Sequence, residues 1–254
     1  MKSRWPQRLW IVRHGESAGN VARARAQAAG LARIDIPERD VDVPLSERGE
    51  AQSRALGRWF ARQPLDERPD VVLASPYARA RTTARLIGEM GGFAPQAIHP
   101  TADERLRERE FGILDRLTTG GIRELHPEQA EFRRSLGKFY HRPPGGESWC
   151  DVILRLRSAL DTISLHYADR RVLIVGHQVV VLCLRYLLED LTEERLLAID
   201  AQGDVVNCGV TEYELDPHVA PDGALRLVRY NFAAPIEEAG AEVTSAPDAP
   251  VAVR

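Results

Sequence analysis

Three short, unbroken runs of apolar residues constrain the fold of this chain more than any other feature. They are Leu9–Val12, Val71–Ala74 and Val172–Val175. Runs without polar alternation are typical of strands that are buried on both faces of a sheet. Because helical patterns separate the three runs, the sequence predicts an α/β fold: a three-layer αβα sandwich with a mostly parallel central sheet.

Helical spacing of apolar residues fills much of the chain between these runs. The N-cap candidates Ser46 and Ser148 each precede such a pattern, and Ser148 has an acidic partner for a capping box in Asp151. Two further helical patterns cover residues 77–90 and 179–188. Each predicted strand is therefore followed by at least one helix, as a parallel sheet requires.

Weaker patterns complete the predicted domain. Residues 94–99, 209–214 and 225–230 predict three further strands. The last stretch of the chain is rich in alanine, proline and glutamate and has no period, which is typical of disorder. The sequence therefore predicts one domain over residues 1–233 and a mostly disordered tail over residues 234–254.

Polar residues follow all three buried runs. Arg13 and His14 come directly after the first run. Arg79 lies one turn into the helix after the second run, and His177 follows the third. Because the carboxyl ends of parallel strands meet at one edge of a sheet, we expect two histidines and two arginines to converge there.

Composition excludes several classes of protein and ligand. The formal net charge is −3, from 34 basic and 37 acidic residues, so we expect neither nucleic acid nor an anionic membrane as a partner. The only lysines are Lys2 and Lys138, which means that an anion site here is built from arginine. No apolar stretch is long enough for a membrane span or a signal peptide. Three scattered cysteines predict no disulfide framework and favour a reducing cytoplasm.

Five segments together carry a resemblance to a known family. They are Arg13–Ser17, Ser75–Ala84, Leu106–Gly112, Pro144–Ser148 and Val172–His177. In residue type and order they resemble the histidine phosphatase superfamily, also called the phosphoglycerate mutase-like family, and the resemblance extends over about residues 8–231. It implies that family's form of the αβα sandwich.

The residues at the predicted edge suit phosphoryl transfer. That chemistry needs a nucleophile, a place for the charge on the phosphoryl oxygens and an acid for the leaving oxygen. A neutral imidazole at His14 is nucleophilic near pH 7. Arg13, Arg79 and His177 would hold the oxygens, since two guanidinium groups can neutralise a phosphate without a metal ion. A structural role for a histidine at a strand end is the alternative.

The acid is selected by the resemblance alone. Glu108 stands in a run of charged residues, which usually indicates a solvated surface, and the resemblance implies that it is the acid/base. It also implies that His14 is the residue that carries the phosphoryl group. We further expect four residues to contact the substrate: Ser17, Asn20, Arg109 and Gln178.

Three functions remain open on the sequence. The first is a metal-independent phosphatase that hydrolyses a small phosphomonoester through a phosphohistidine. The second is a phosphoglycerate mutase-type isomerase, and the third is an inactive module that binds a phosphorylated ligand. Pro37–Asp40 and Gln178–Val180 depart from the mutase pattern, whereas Phe132–Ser135 resembles an Arg-Arg segment of mutases. The five catalytic residue types are all present, which disfavours the inactive module.

The sequence predicts no metal and no other cofactor. None of the seven histidines forms an H-x-x-E-H or similar ligand spacing. The expected partner is a small phosphorylated substrate, and a homo-oligomer is left open. We expect specificity to reside in the irregular segments 21–40 and 113–146, which lie over the predicted edge.

Overall fold

The computed structural model describes residues 4–219 and 222–246, and its centre is a six-stranded sheet. The strands are β1 (Arg8–Arg13), β2 (Val71–Ala74), β3 (Thr101–Ala102), β4 (Arg171–Gly176), β5 (Val210–Asp216) and β6 (Ala224–Phe232). Their order across the sheet is β3-β2-β4-β1-β5-β6. The first four in this order pair in parallel, and β5 and β6 add an antiparallel edge. The predicted, mostly parallel sheet is confirmed.

Helices connect the strands and cover the sheet. They are α1 (Ala18–Ala28), α2 (Glu47–Ala61), α3 (Ala78–Gly91), α4 (Pro95–Ile98), α5 (Thr119–Leu125), α6 (Pro127–Tyr140), α7 (Trp149–His166), α8 (Gln178–Leu188), α9 (Glu193–Gln202) and α10 (Ala234–Glu237). Ser46 and Ser148 cap α2 and α7 as predicted, and Ser148 forms the capping box with Asp151. None of the helices in the described residues is long and apolar enough to cross a membrane.

The two faces of the sheet bury separate cores. On β1, Leu9 and Ile11 face a cluster that includes residues of α7, α8 and α9. Trp10 and Val12 face the opposite cluster, to which α2 and α3 contribute. Alternate residues of one strand thus reach two apolar layers, which explains the unbroken apolar runs and confirms the three-layer αβα sandwich.

Two segments differ from the sequence prediction. Residues 95–98 form α4 rather than a strand, because Pro95 occupies the first turn, where a helix does not need its missing N–H. Residues 234–246, within the predicted disordered tail, hold α10 and a segment that returns to the domain. Ile236 is fully buried there, so apolar burial compensates for ordering this segment. Residues 247–254 of the predicted tail lie outside the described residues.

Strand register determines where the site forms. Arg13 at the end of β1 lies opposite Gly176 at the end of β4. The next residues, His14 and His177, therefore leave neighbouring strands at the same level. The backbone N–H of His14 donates to the carbonyl of Gly176 at 2.9 Å and holds the two ends together.

Candidate active site

His14 is fully buried in a loop that several parts of the chain hold in place. Its Nδ1 lies 2.7 Å from the carbonyl oxygen of Gly15. A carbonyl can only accept, so Nδ1 carries a proton, and in the neutral imidazole the lone pair is on Nε2. Gly15 permits this close turn, because a Cβ at that position would lie 2.4 Å from the carbonyl oxygen of Gly49.

His177 is the second buried imidazole of the site. Its ring centroid lies 5.1 Å from that of His14. Its Nε2 shares a hydrogen bond of 2.8 Å with the hydroxyl of Ser75, at the end of β2. Its Nδ1 lies 3.6 Å from Oε2 of Glu108. Three neighbouring strand ends thus contribute to one small polar centre.

Glu108 is singled out from its acidic run by burial. Only 2% of it is exposed, and its Oε1 accepts a hydrogen bond of 2.7 Å from the backbone N–H of Arg109. The neighbouring acid Asp103 instead pairs with Arg105. Arg155 donates to the carbonyl of Glu108 and so fixes the backbone at this point. The structure therefore brings Glu108 to His177, as the resemblance implies.

The loop of Glu108 has a second anchor in Glu147. Arg155 and Arg107 both donate to its carboxylate, at 3.0 and 2.6 Å. Burial opposes ionisation, but the Arg155 and Arg107 charges hold the pKa of Glu147 below its ordinary value. Glu147 remains ionised and ties the Glu108 loop to α7.

The two predicted arginines are both buried and lie on different elements. Arg79 on α3 is almost fully buried, and its guanidinium lies over the ring of Tyr77 at 4.9 Å. That ring in turn lies 5.2 Å from the ring of His177. Arg13 is fully buried and donates from Nη1 to the carbonyl of Val205 at 2.5 Å and from Nη2 to the carbonyl of Ala246.

The four predicted substrate contacts have different surroundings. Ser17 caps α1, and Asn20 completes that capping box while donating from Nδ2 to the carbonyl of Ala246. Arg109 donates to the carbonyls of Glu147 and His141, and burial lowers its pKa to about 10. Gln178 donates from Nε2 to Asp204 at 2.8 Å.

Arg109 and Gln178 therefore hold other parts of the protein, while Ser17 and Asn20 line a cleft that also contains Arg79. The contact of each of the four with a substrate stays a prediction.

The sequence analysis did not identify several residues whose side chains hold the backbone of the His14 loop in place. Asn207 donates from Nδ2 to the carbonyl of His14 at 3.0 Å. Gln52 accepts from the backbone N–H of Glu16, and Thr83 accepts from that of Gly15. Their sequence positions carry no signal for these roles. Ser75 does carry one, since it ends a buried strand beside the two that bear the histidines.

No group of three or more His, Cys, Asp or Glu in the described part of the chain is arranged to hold a metal ion. The centre consists of two imidazoles and one buried carboxylate, and the ring of Tyr77 links it to the buried guanidinium of Arg79. This set offers a nucleophilic nitrogen, a proton carrier and cationic donors for an oxyanion.

Comparison with proteins of known sequence identifies relatives over most of the chain. Residues 9–221 match the family model described as "Histidine phosphatase superfamily (branch 1)". A "Phosphoglycerate mutase-like protein AT74H" of Arabidopsis thaliana is 32% identical over 171 residues, which cover 64% of this chain and 55% of that protein. A "Probable phosphoglycerate mutase GpmB" of Serratia proteamaculans is 31% identical over 178 residues, covering 69% of this chain and 72% of its own.

Solved structures show the same fold. A Bacillus stearothermophilus protein, YhfR, superposes with a TM-score of 0.67 at 26% identity, over 89% of this chain and 96% of its own. A mycobacterial glucosyl-3-phosphoglycerate phosphatase superposes with a TM-score of 0.66 at 24% identity, over 90% of this chain and 99% of its own. The family model spans all five segments that carry the sequence resemblance, and the chain belongs to the histidine phosphatase superfamily.

Proposed function

We propose that this protein is a metal-independent phosphatase that hydrolyses a small phosphomonoester through a phosphohistidine on His14. One observation carries the proposal. The Nδ1 of His14 donates a hydrogen bond to the Gly15 carbonyl, which leaves Nε2 as the nucleophile. The His14 ring lies beside His177, and His177 lies beside Glu108. The buried thiols of Cys183 and Cys208 are compatible with the reducing cytoplasm that we propose as its compartment.

The first step transfers the phosphoryl group to the protein. The Nε2 lone pair of His14 attacks phosphorus, an N–P bond forms, and the ester P–O bond breaks. Glu108, in its acid form, gives its proton to the leaving oxygen, which departs as a neutral alcohol. Arg13, Arg79 and His177 hold the charge on the three phosphoryl oxygens.

The second step regenerates the enzyme. Glu108, now a carboxylate, takes a proton from a water molecule as the water oxygen attacks phosphorus. The N–P bond breaks, its electron pair returns to Nε2 of His14, and inorganic phosphate leaves. Each turnover consumes one water and one phosphomonoester, and it restores both the neutral imidazole and the protonated acid.

A phosphoglycerate mutase is the second candidate, since the Serratia relative carries that name and Phe132–Ser135 resembles a mutase segment. The two functions share the first step and differ in what accepts the phosphoryl group. Incubation with 3-phosphoglycerate, with and without a bisphosphate primer, separates them. Release of inorganic phosphate supports the phosphatase, and primer-dependent isomerisation without release contradicts it.

Replacement of the nucleophile tests the shared step. His14→Ala should abolish hydrolysis of p-nitrophenyl phosphate in a buffer containing EDTA, because no other group supplies the attacking nitrogen. The wild-type protein, quenched in alkali because acid hydrolyses the N–P bond, should carry a phosphoryl group on His14 in a rapid mass-spectrometric measurement, and the variant should carry none. His166→Ala, at the exposed end of α7, is the matched control and should retain full activity. Undiminished turnover by His14→Ala would refute the mechanism.

A further inference from the structure

A cleft opens beyond Arg79, and the proposed chemical steps leave it unassigned. Part of its lining is apolar and consists of Ile34, Ile36, Val43 and Phe111. Arg79 lies in its wall, so a molecule whose phosphate contacts that guanidinium can extend its remaining atoms into this space. The cleft is therefore placed to receive the alcohol part of a phosphomonoester.

The lining also contains acidic side chains. Glu38, Asp40 and Asp115 contribute three carboxylates to its lining. Asp40 also reaches Arg79, with its Oδ1 3.0 Å from Nη1. Burial raises the pKa of Asp115, and the negative charge of Asp40 raises it further. A further anionic group would meet the same repulsion that Asp115 already experiences.

Each of the three arginines in the lining donates to a backbone carbonyl, and Arg79, the one beside the histidine centre, donates to that of Asp40 at 2.6 Å. Arg116 donates to the carbonyl of Ile36 at 3.0 Å and to that of Glu38 at 2.6 Å. Arg23 donates to the carbonyl of Leu117 at 3.1 Å. These bonds bring the segment around Ile36 against the segment around Leu117 and form the walls of the cleft. Recognition of a second anion by either arginine would require breaking them.

Resting on the proposed phosphatase function, we infer that the cleft selects a substrate whose alcohol part is an uncharged, hydroxyl-bearing carbon skeleton. The carbon atoms of the alcohol part pack against the apolar residues of the lining. The hydroxyl groups donate to the carboxylates of Asp40 and Asp115, which can only accept when ionised. A carboxylate or second phosphate at the same place would be repelled by these carboxylates, while the guanidinium groups beside them already donate to the protein, and would therefore bind more weakly.

A cation outside the cleft offers an alternative place for an anion. Arg133 on α6 is partly buried, and burial lowers its pKa, with Asp200 opposing the change. It lies near Arg109 and His141 rather than in the lining of the cleft. If the substrate carries a carboxylate, Arg133 is the group that would bind it, and the test includes this outcome.

Two substrates of equal carbon number separate the alternatives. Glycerol 3-phosphate ends in a CH2OH group where 3-phosphoglycerate ends in a carboxylate. We expect kcat/KM for phosphate release to be about tenfold higher for glycerol 3-phosphate, the effect of one like-charge interaction near a protein surface. Asp115→Asn should reduce that ratio about fivefold, since the amide still accepts from the backbone of Arg116 and no longer repels.

Controls keep the inference and the proposed function separable. Asp161→Asn, an exposed acid of α7 outside the cleft, should leave the ratio unchanged. Glu38→Gln should lower the ratio in the same direction as Asp115→Asn and provides a second variant if the first does not fold. Loss of p-nitrophenyl phosphate hydrolysis in the wild type would overturn the phosphatase itself.

With that activity and its dependence on His14 intact, two results would overturn the cleft inference alone. One is a preference for 3-phosphoglycerate that disappears in Arg133→Ala. The other is a substrate ratio that neither acid-to-amide variant changes.

Discussion

The histidine pair and the cleft beyond Arg79 are neighbours that the chain builds in opposite ways. His14 and His177 are fully buried, and the register of β1 and β4 sets their positions. The cleft is lined by residues of α1 and α3 and by the segments around Ile36 and Asp115, and hydrogen bonds from Arg23 and Arg116 to backbone carbonyls hold these parts together. The sheet therefore fixes the atoms proposed to react, while long side chains fix the surroundings proposed to choose the substrate.

Removal of the proposed acid should have the largest effect and should act equally on all substrates. Glu108→Gln keeps the side-chain shape and the bond from the Arg109 backbone but supplies no proton to the leaving oxygen. We expect kcat to fall about 10²- to 10⁴-fold. The loss should be similar for glycerol 3-phosphate and 3-phosphoglycerate, because Glu108 lies beside His177 and not in the cleft. A fall in kcat for only one of the two substrates would contradict the proposed division between a region that reacts and a region that selects the substrate.

Removal of a histidine support should have a smaller effect of the same kind. Ser75→Ala deletes the hydroxyl that shares a 2.8 Å hydrogen bond with His177. We expect kcat/KM to fall about tenfold, as for other losses of a group that orients a functional histidine. The pH profile of kcat/KM should also shift, because the partner of the imidazole has changed. If the pH profile of kcat/KM is unchanged and only the thermal stability falls, Ser75 contributes to packing and does not position His177.

The smallest expected effect concerns stability. His141 is 2% exposed, and burial, together with the charges of Arg133 and Arg109, lowers its pKa from 6.5 to about 4. Between pH 6.5 and pH 4, His141 is therefore protonated in the unfolded chain but not in the folded chain. The free energy of unfolding should fall by about 2 kcal/mol across this window as the pH falls.

Urea unfolding at pH 7 and pH 4.5 measures that change. His141→Gln should flatten the pH dependence, whereas His166→Gln should leave it as it is. The carbonyl of His141 accepts from Arg109, the residue after Glu108. The same measurement therefore tests whether the segment that packs next to the proposed acid is destabilised in mild acid. An equal slope in both variants would assign the pH dependence to other groups.

The fold was predictable because the apolar runs report burial on both faces directly. The convergence of His14 and His177 followed from the rule that ligands bind beyond the carboxyl ends of parallel strands. Segment 95–98 was predicted wrongly, because a short apolar stretch suits both strand and helix and its proline decided between them. Glu108 required the family resemblance, since nothing local distinguishes one glutamate of a charged run from the next.

The remaining contacts depend on distances along the chain that no pattern encodes. Asp40 and Arg79 are 39 residues apart, and Asn207 reaches the carbonyl of His14 across 193 residues. Such pairs arise only after the layers have packed. The segment at 241–246 illustrates the same point, because its hydrogen bonds with Gln52 and Asn207 can form only after the rest of the domain has folded.

The carbonyl of Ala246 has a consequence for the energetics of turnover. It accepts from Arg13 and from Asn20, so the buried guanidinium already has an oxygen partner when the site holds no phosphate. On the proposed mechanism, a phosphoryl oxygen that binds Arg13 replaces a neutral peptide oxygen rather than bulk solvent. When the product leaves, the carbonyl of Ala246 accepts from Arg13 again, which weakens the binding of inorganic phosphate at the end of each proposed cycle.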